Sequence, residues 1–167
     1  MARSSSSRSR ASRTANGPSN VGPEDVAAPE RLLAAAVEAF GKRGYHATTT
    51  REIAERAGMS PAGMYIHFQS KQDILYQVSR RGHAAVLEVV EDSLAADAPP
   101  EEQVRRFVQA FTAWHAWNHR SARVQQYELH ALAREHFDEI RSVRSRFGHM
   151  LKQELRRGVQ SGTFTIR

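Results

Sequence analysis

The fold of this chain is decided between residues 49 and 71, where the sequence reads TTREIAERAGMSPAGMYIHFQSK. Thr49 and Glu52, three residues apart, predict a capping box, in which each side chain binds a backbone amide at the start of a helix. Gly58 follows where a short helix must end, because glycine readily adopts the backbone conformation that stops a helix. These signals predict a helix over about 50–57.

A second start signal comes directly after this helix. Ser60 supplies a capping hydroxyl, and Pro61 fits the first helical position, where no backbone amide needs a partner. We therefore expect another short helix that ends near Phe68, joined to the first by the turn at 57–60. Ala54 is small enough for the two helices to cross closely. The side chains predicted to face inward are Ile53, Met59 and Met64. Together the two helices form a helix-turn-helix.

Upstream of this motif, apolar residues recur with a helical period at Leu33, Val37 and Phe40. Gly44 then stops the helix in a left-handed conformation. We therefore expect a first helix over about 30–43.

Downstream of the motif, helical periodicity continues. Ser70 and Asp73 repeat the capping pattern and open a fourth helix over about 70–96. The pair Pro99-Pro100 separates it from a fifth helix over about 100–118. The fifth helix carries an apolar stripe that we expect to be buried: Val104, Phe107, Val108, Phe111 and Trp114.

Two further helices complete the predicted fold. Ser121 is predicted to cap the sixth, and the seventh is predicted to end near Gly162. The sixth carries Val124, Tyr127, Leu129 and Leu132, and the seventh carries Ile140, Val143, Phe147, Leu151, Leu155 and Val159. Residues 163–167 are too few to form a strand alone. The predicted fold class is therefore all-α.

The composition excludes several classes of protein. The chain has 167 residues, a formal net charge of +6 and no cysteine, which excludes disulfide scaffolds, thiolate metal sites and cysteine nucleophiles. No apolar run is long enough to span a bilayer. Residues 1–28 combine arginines with Ser, Ala, Gly and Pro, which predicts a disordered basic tail. We expect a cytoplasmic protein whose basic first half meets an anionic partner.

The string from Thr49 to Lys71, preceded by AFGKRGY at 39–45, resembles the DNA-binding domain of the TetR family of bacterial repressors. The resemblance covers about residues 30–80, and beyond them only the number and lengths of the helices agree. It implies an all-α protein with three parts. They are a three-helix helix-turn-helix DNA-binding domain over 29–75, a linking helix over 70–96, and a helical ligand-binding and dimerisation domain over 76–167.

The chemistry of DNA recognition independently points to Arg51. It lies at the exposed start of the second helix, where a guanidinium can bind O6 and N7 of a guanine, a contact worth about 1–3 kcal/mol of discrimination. The resemblance points to the same residue, and the alternative is a solvent-exposed pair with Glu55. The residues expected to contact phosphates, against alternative roles in capping or packing, are Thr50, Tyr65, His67 and Lys71.

The third helix departs from what base reading usually needs. The resemblance implies that its outer face meets DNA through Ser60, Pro61, Ala62, Gly63 and Ile66. The last four of these offer no polar side chain. Readout there would rest on apolar contact with thymine methyl groups, on backbone groups and on close approach. We therefore expect modest sequence discrimination from this helix and a larger share from Arg51.

The second half of the chain has the composition of an apolar pocket with few polar groups. The resemblance implies a ligand pocket there, and the residues expected to line it are Phe107, Phe111, Trp114, His115, Trp117, Tyr127, Glu128 and Phe147. For each of them an ordinary core position is the alternative. His115 and His119, one turn apart, could chelate a metal, but spacing supplies no third ligand. We expect neither a metal nor a cofactor.

Together with the helix-turn-helix, the resemblance implies a DNA-binding transcriptional regulator of the bacterial nucleoid. The resemblance implies a homodimeric repressor that a small hydrophobic ligand releases from a palindromic operator in double-stranded DNA. Relatives of this kind usually dimerise through two final helices, whereas this chain ends at Arg167, so we expect the regulatory domain to lack them. The alternative is a sequence-tolerant DNA-binding module, or a fragment with impaired dimerisation and no effector response. We expect no enzyme, because the sequence has no nucleophile, metalloprotease or phosphate-loop motif. We expect no membrane partner, because no apolar run is long enough to span a bilayer.

Overall fold

The structure, a computed structural model, describes residues 27–94 and 97–165. Within these ranges the chain is all-helical without a strand, which confirms the predicted fold class. The helices are α1 (Ala28–Arg43), α2 (Thr50–Arg56), α3 (Pro61–His67), α4 (Lys71–Leu94), α5 (Pro100–Trp117), α6 (His119–Tyr127) and α7 (Arg134–Gln160), with a 3-10 turn at Leu129–Ala131. None of the helices described is long and apolar enough to cross a membrane. Most of the tail predicted over 1–28 lies outside the described residues.

Side-chain caps start α2, α3 and α4 as predicted. The hydroxyls of Thr49, Ser60 and Ser70 accept hydrogen bonds from the backbone amide three residues on, at 3.1, 3.0 and 3.0 Å. At α4 the Asp73 carboxylate also points back toward the start of the helix, but its Oδ2 accepts a hydrogen bond from the backbone amide of Gln69, the residue before the Ser70 cap, at 3.0 Å. Each cap satisfies a donor that has no partner inside its helix.

Two local details differ from the prediction. The capping box at Thr49 is only half formed, because the Glu52 carboxylate accepts hydrogen bonds from Arg43 and Arg56 at 3.2 Å each. Guanidinium donors form stronger, charge-assisted bonds with a carboxylate than a neutral amide does. Gly44 ends α1 as predicted but with φ 83° and ψ 162°, an extended conformation at positive φ rather than a left-handed helical one.

The sixth helix begins earlier and ends sooner than predicted. It starts at His119, and the Ser121 hydroxyl accepts a hydrogen bond from Gln125 Nε2 at 2.8 Å inside the helix instead of capping it. The α-helix ends before Leu129, which lies in the 3-10 turn, and Leu132 follows the turn. Both leucines are buried. Their spacing of three residues fits either kind of helix, so periodicity alone did not reveal the break.

A large apolar core joins the first four helices to α6 and α7. Its members with at most 1% exposure are Leu32, Ala36, Ala39, Phe40, Ile53, Ala54, Met64, Ile74, Leu75, Val124 and Ile140. The packing is therefore continuous across the domain boundary predicted at residues 75 and 76, and that division of the chain stays a prediction.

A smaller core lies between α4, α5 and α7. Val86, Val90 and Phe107 are buried in it, and the partly buried side chains around them are Leu94, Phe111, Trp114, Phe147, Met150 and Leu151. The predicted burial of the whole α5 stripe is wrong at Val108, which is 52% exposed. Only one side of α5 packs against α4 and α7, so a residue at the margin of the stripe stays in solvent.

Candidate functional site

The outer face of α3 is exposed, whereas its inner face is buried. Met64 is fully buried, as are Ile53 and Ala54 of α2. On the outer side Ile66 is 81% exposed and Tyr65 is 53% exposed. Two adjacent large side chains are therefore held in solvent by a helix whose other face is fixed in the core. Such a face suits contact with another molecule.

The turn between α2 and α3 is tightly closed. The backbone amide of Met59 donates to the carbonyl of Ala54 at 2.8 Å, and Gly58 has a φ of 68°. The Met59 side chain packs against the large core, which confirms the predicted inward-facing set. The turn therefore fixes the angle at which α3 leaves α2.

Two hydroxyl groups lie side by side where α2 meets the exposed face of α3. Thr50 Oγ1 and Tyr65 Oη are 3.4 Å apart, and either can donate to the other. The hydroxyl that accepts this hydrogen bond keeps its own proton, which it can donate to an external acceptor such as a phosphate oxygen. His67 is exposed at the end of α3, while the Ser60 hydroxyl caps that helix. The DNA contacts assigned to these four residues stay predictions.

Arg51 projects beside the same face. Its side chain is 78% exposed, and Nε donates to Glu55 Oε1 at 2.8 Å. This hydrogen bond and the charge of Glu55 raise the pKa of Arg51 above its usual value. The pair is solvent-exposed and therefore weak. Because the bond uses Nε, the terminal nitrogens point to no acceptor among the described residues and suit a guanine edge.

Lys71 has a structural role that the sequence did not predict. Its ammonium donates to the backbone carbonyls of Tyr45 at 2.9 Å and Thr48 at 2.7 Å, and it lies 4.3 Å from the centre of the Tyr45 ring. These contacts tie the start of α4 to the loop between α1 and α2. The phosphate contact assigned to Lys71 stays a prediction, since two of its three donors are already engaged.

Replacing Lys71 separates these two roles. We expect Lys71→Met to lower the free energy of unfolding by about 2–4 kcal/mol, because hydrogen bonds from a charged group and a cation–π contact are lost together. Urea unfolding followed by circular dichroism measures this change, with the exposed Lys152→Met of α7 as the control. Unchanged stability, with a salt dependence of DNA binding reduced by about one counterion, would instead make Lys71 only a phosphate contact.

A cavity of about 280 Å³ lies between α4, α5, α6 and α7. The residues that line it are His83, Val86, Phe111, His115, Ala122, Gln125, Gln126, Arg144 and Phe147. One part of this wall is apolar and aromatic, and the rest carries neutral or basic polar groups. An apolar space with a few polar groups is the usual form of a small-molecule site.

The structure brings together only some of the predicted pocket residues. Phe111, His115 and Phe147 line the cavity. Phe107 is buried in the small core, and Trp114 lines a separate groove beside α1. Three others do not line this cavity: Trp117 and Tyr127 are 86% and 64% exposed, and the Glu128 carboxylate lies near Gly44. The ligand contacts assigned to the predicted residues stay predictions. Aromatic composition indicates burial in general, but it does not say which side chains share a space.

Sequence reasoning missed the polar side of the cavity, which consists of His83, Gln125, Gln126 and Arg144. A usable signal existed for Arg144. It lies four residues after Ile140 and three before Phe147, so a charged residue interrupts the apolar stripe of α7. A cation at such a position faces the interior of the protein.

His83 is a buried, neutral histidine in the cavity wall. It is 4% exposed, and its Nδ1 lies 2.7 Å from the Ser79 carbonyl oxygen. Burial lowers the pKa of His83, and the nearby charge of Arg144 lowers it further, whereas the hydrogen bond to Ser79 acts in the opposite sense. Because a carbonyl only accepts, Nδ1 carries the proton, and Nε2 is left as an acceptor.

His115 and His119, one turn apart in the sequence, lie in different surroundings. His115 Nδ1 lies 2.9 Å from the Phe111 carbonyl oxygen, and His119 is exposed at the start of α6. Across residues 27–94 and 97–165, no three His, Asp or Glu side chains are grouped so that they could hold a metal ion.

Two protein families together match most of the chain. Residues 32–78 match the family described as bacterial regulatory proteins, tetR family. Residues 97–167 match the tetracyclin repressor-like C-terminal domain. The helix-turn-helix lies within the first match, and α5, α6 and α7, which contribute three of the four helices around the cavity, lie within the second.

Individual relatives agree with these matches. The crystal structure of a bacterial regulatory protein in the tetR family from Rhodococcus RHA1 is 39% identical, with a TM-score of 0.80 over 83% of this chain and 73% of that chain. The fatty acid metabolism regulator protein of Bacillus subtilis (strain 168) is 27% identical over 79% of this chain. The transcriptional repressor KstR2 of Rhodococcus jostii (strain RHA1) is 31% identical over 80% of it. This chain spans 68% and 66% of the lengths of those two regulators.

Proposed function

The chain belongs to the TetR family of bacterial regulatory proteins, whose members are DNA-binding transcriptional regulators and not enzymes, and from this premise we propose that it represses transcription from an operator until a small hydrophobic ligand releases it. Repression requires that the protein occupies promoter DNA on the bacterial chromosome. Release requires that the ligand binds the relaxed conformation better than the DNA-ready one.

The exposed face of α3 carries this proposal. Ile66 and Tyr65 project from a helix that is narrow enough to enter the major groove. The Ile66 side chain suits the methyl group of a thymine, and Arg51 suits a neighbouring guanine. Thr50 and His67 flank this face with groups that bind phosphate oxygens. One face thus combines base contacts with positioning contacts.

A homodimer supplies the second reading surface that a palindromic operator needs. Two copies of α3 would enter successive major grooves, so the half-sites lie about one helical turn apart. Each copy contributes its own set of base contacts. The distance between the two copies of α3 then decides whether both fit the DNA at once.

The cavity is physically connected to the DNA-binding helices through α6. Gln125 lines the cavity, and its side chain lies directly against Gly82 of α4, where an added methyl group would collide with it. At the other end of α6, Arg120 Nη1 donates to Glu38 Oε1 at 3.1 Å, and α6 packs against α1 next to Gly41. A ligand that displaces α6 would therefore shift α1 relative to α4.

The name of the Bacillus subtilis relative supports an apolar effector, since that protein is called a regulator of fatty acid metabolism. The aromatic and aliphatic part of the cavity wall suits such a molecule. A competing function is a sequence-tolerant DNA-binding module without an effector. It is favoured by the absence of polar side chains at Pro61, Ala62 and Gly63.

Selection of bound sequences from a random duplex pool at near-physiological salt distinguishes the two functions. A repressor is expected to select a palindrome with half-sites about one turn apart and to bind it at least about 1000-fold more tightly than random DNA. We expect Arg51→Ala to weaken this binding by about 5- to 100-fold and to remove a preference for guanine.

Fluorescence anisotropy with the selected duplex measures this loss. Arg134→Ala is a matched control, because Arg134 pairs with Asp138 four residues on at 2.9 Å but lies on α7. A pool that stays random after selection, with binding that depends only on salt, would favour the sequence-tolerant module.

A further inference from the structure

We propose that the cavity binds an amphipathic carboxylate, and that Arg144 is the counter-ion of the ligand's carboxylate group. This inference rests on the proposed function, because it names the chemical class of the effector. The apolar part of the ligand would lie against Val86, Phe111 and Phe147.

The surroundings of Arg144 provide the first argument. Every other arginine of α7 is exposed, whereas Arg144 is partly buried in the cavity wall. Arg146 and Arg157 pair with the carboxylates of Glu91 and Glu154, at 2.8 and 3.3 Å. Arg144 instead donates to the neutral amide oxygen of Gln126 at 2.9 Å, and no acidic group of the described residues pairs with it.

The rest of the polar wall leaves this positive charge uncompensated. The cavity is lined by two histidines, two glutamines and one arginine, and no aspartate or glutamate is among the lining residues. The buried His83 is neutral, so it adds no charge to that of Arg144 and removes none. A partly desolvated cation is costly unless it is paired. A planar carboxylate matches a guanidinium in both charge and geometry.

The volume of the cavity and the apolar part of its wall indicate the length and polarity of the rest of the ligand. A water molecule has a share of about 30 Å³ in the liquid, so the cavity holds roughly nine water-sized groups. This corresponds to a carboxylate on a chain of roughly seven further carbons. Octanoate and its uncharged, isosteric amide, octanamide, therefore test the assignment directly, because they differ only at the head group.

Calorimetry on the full chain measures binding of each probe without involving DNA. We expect octanoate to bind at least about tenfold more tightly than octanamide, because only octanoate pairs with the guanidinium. Arg144→Gln keeps a hydrogen-bonding side chain and is expected to bring the ratio of the octanoate and octanamide affinities close to one. Arg144→Lys is expected to keep part of the preference. Arg146→Gln, on the same helix but outside the cavity, should keep all of it.

Several outcomes would overturn the assignment. Equal binding of the two probes to the unaltered chain, or binding of neither, would show that Arg144 does not recognise a carboxylate. Tighter binding of octanoyl-CoA than of octanoate would assign the cavity to a thioester instead. A ratio unchanged in a folded Arg144→Gln chain would place the carboxylate elsewhere. Release of the selected operator is measured separately by anisotropy, so failure of the repressor function is distinguishable from failure of this proposal.

Discussion

Replacement of Ile66 by glutamate is expected to weaken binding to the selected operator at least about 100-fold, which corresponds to about 2.7 kcal/mol. The substitution removes the largest apolar contact that α3 offers and places a carboxylate next to the DNA phosphates. Each α3 of a dimer would suffer the same loss, so the two effects combine. The fold should remain intact, because the side chain is 81% exposed and contributes nothing to the core.

Anisotropy titration at a fixed salt concentration measures this change, and circular dichroism checks the helix content. Gln153→Glu is the matched control, because it adds the same charge at an exposed position of α7. We expect the control to bind DNA within about twofold of the unaltered chain, since screened charges far from the interface act weakly. If both variants bind equally well, the outer face of α3 does not read the operator.

Replacement of Phe40 by alanine is expected to reduce the free energy of unfolding by about 3–5 kcal/mol. Phe40 is 1% exposed in the large core, and its ring lies 5.4 Å from that of Tyr45. Truncation removes buried apolar surface and leaves a cavity that the surrounding helices fill only in part. Since domains of this size are stable by only about 5–15 kcal/mol, this loss leaves a marginal fold.

Urea unfolding followed by circular dichroism measures the loss of stability. Ile66→Ala serves as the control, because it also truncates a large apolar side chain but at an exposed position, where changes within about 0.5 kcal/mol are usual. A loss below about 1 kcal/mol for Phe40→Ala would mean that α1 does not pack through this ring. DNA binding by Phe40→Ala at low temperature would show that only stability, and not the reading surface, was affected.

The first half of the chain was predictable in detail because its signals are local. A capping hydroxyl and the amide it binds are three residues apart, so the starts of α2, α3 and α4 followed from Thr49, Ser60 and Ser70. The end of α1 followed from Gly44 for the same reason. The buried set around Met64 followed from helical period, since the short helices of the motif have only one face to bury.

Interactions between distant residues were predicted less well. Glu52 satisfies the sequence rule for a capping box, yet Arg43 and Arg56 compete for its carboxylate. Lys71 was assigned to DNA from its place at the start of α4, but the carbonyls that hold it belong to a loop 23 and 26 residues earlier. No local pattern encodes such a competition, because it depends on which helices pack together.

By itself the sequence determined the helical fold, the helix-turn-helix, the exposed face of α3 and the class of regulator to which the chain belongs. The structural properties depend on spacing, capping and helical period, which are local, whereas the class of regulator followed from the resemblance of residues 49–71 to the TetR family. Only the tertiary structure decided that Trp117 and Tyr127 face solvent and that Arg144 and His83 share a cavity. An amphipathic stripe indicates that a helix has a face to bury. Which side chains from four helices meet in one cavity depends on the rotation and distance of each helix relative to its neighbours.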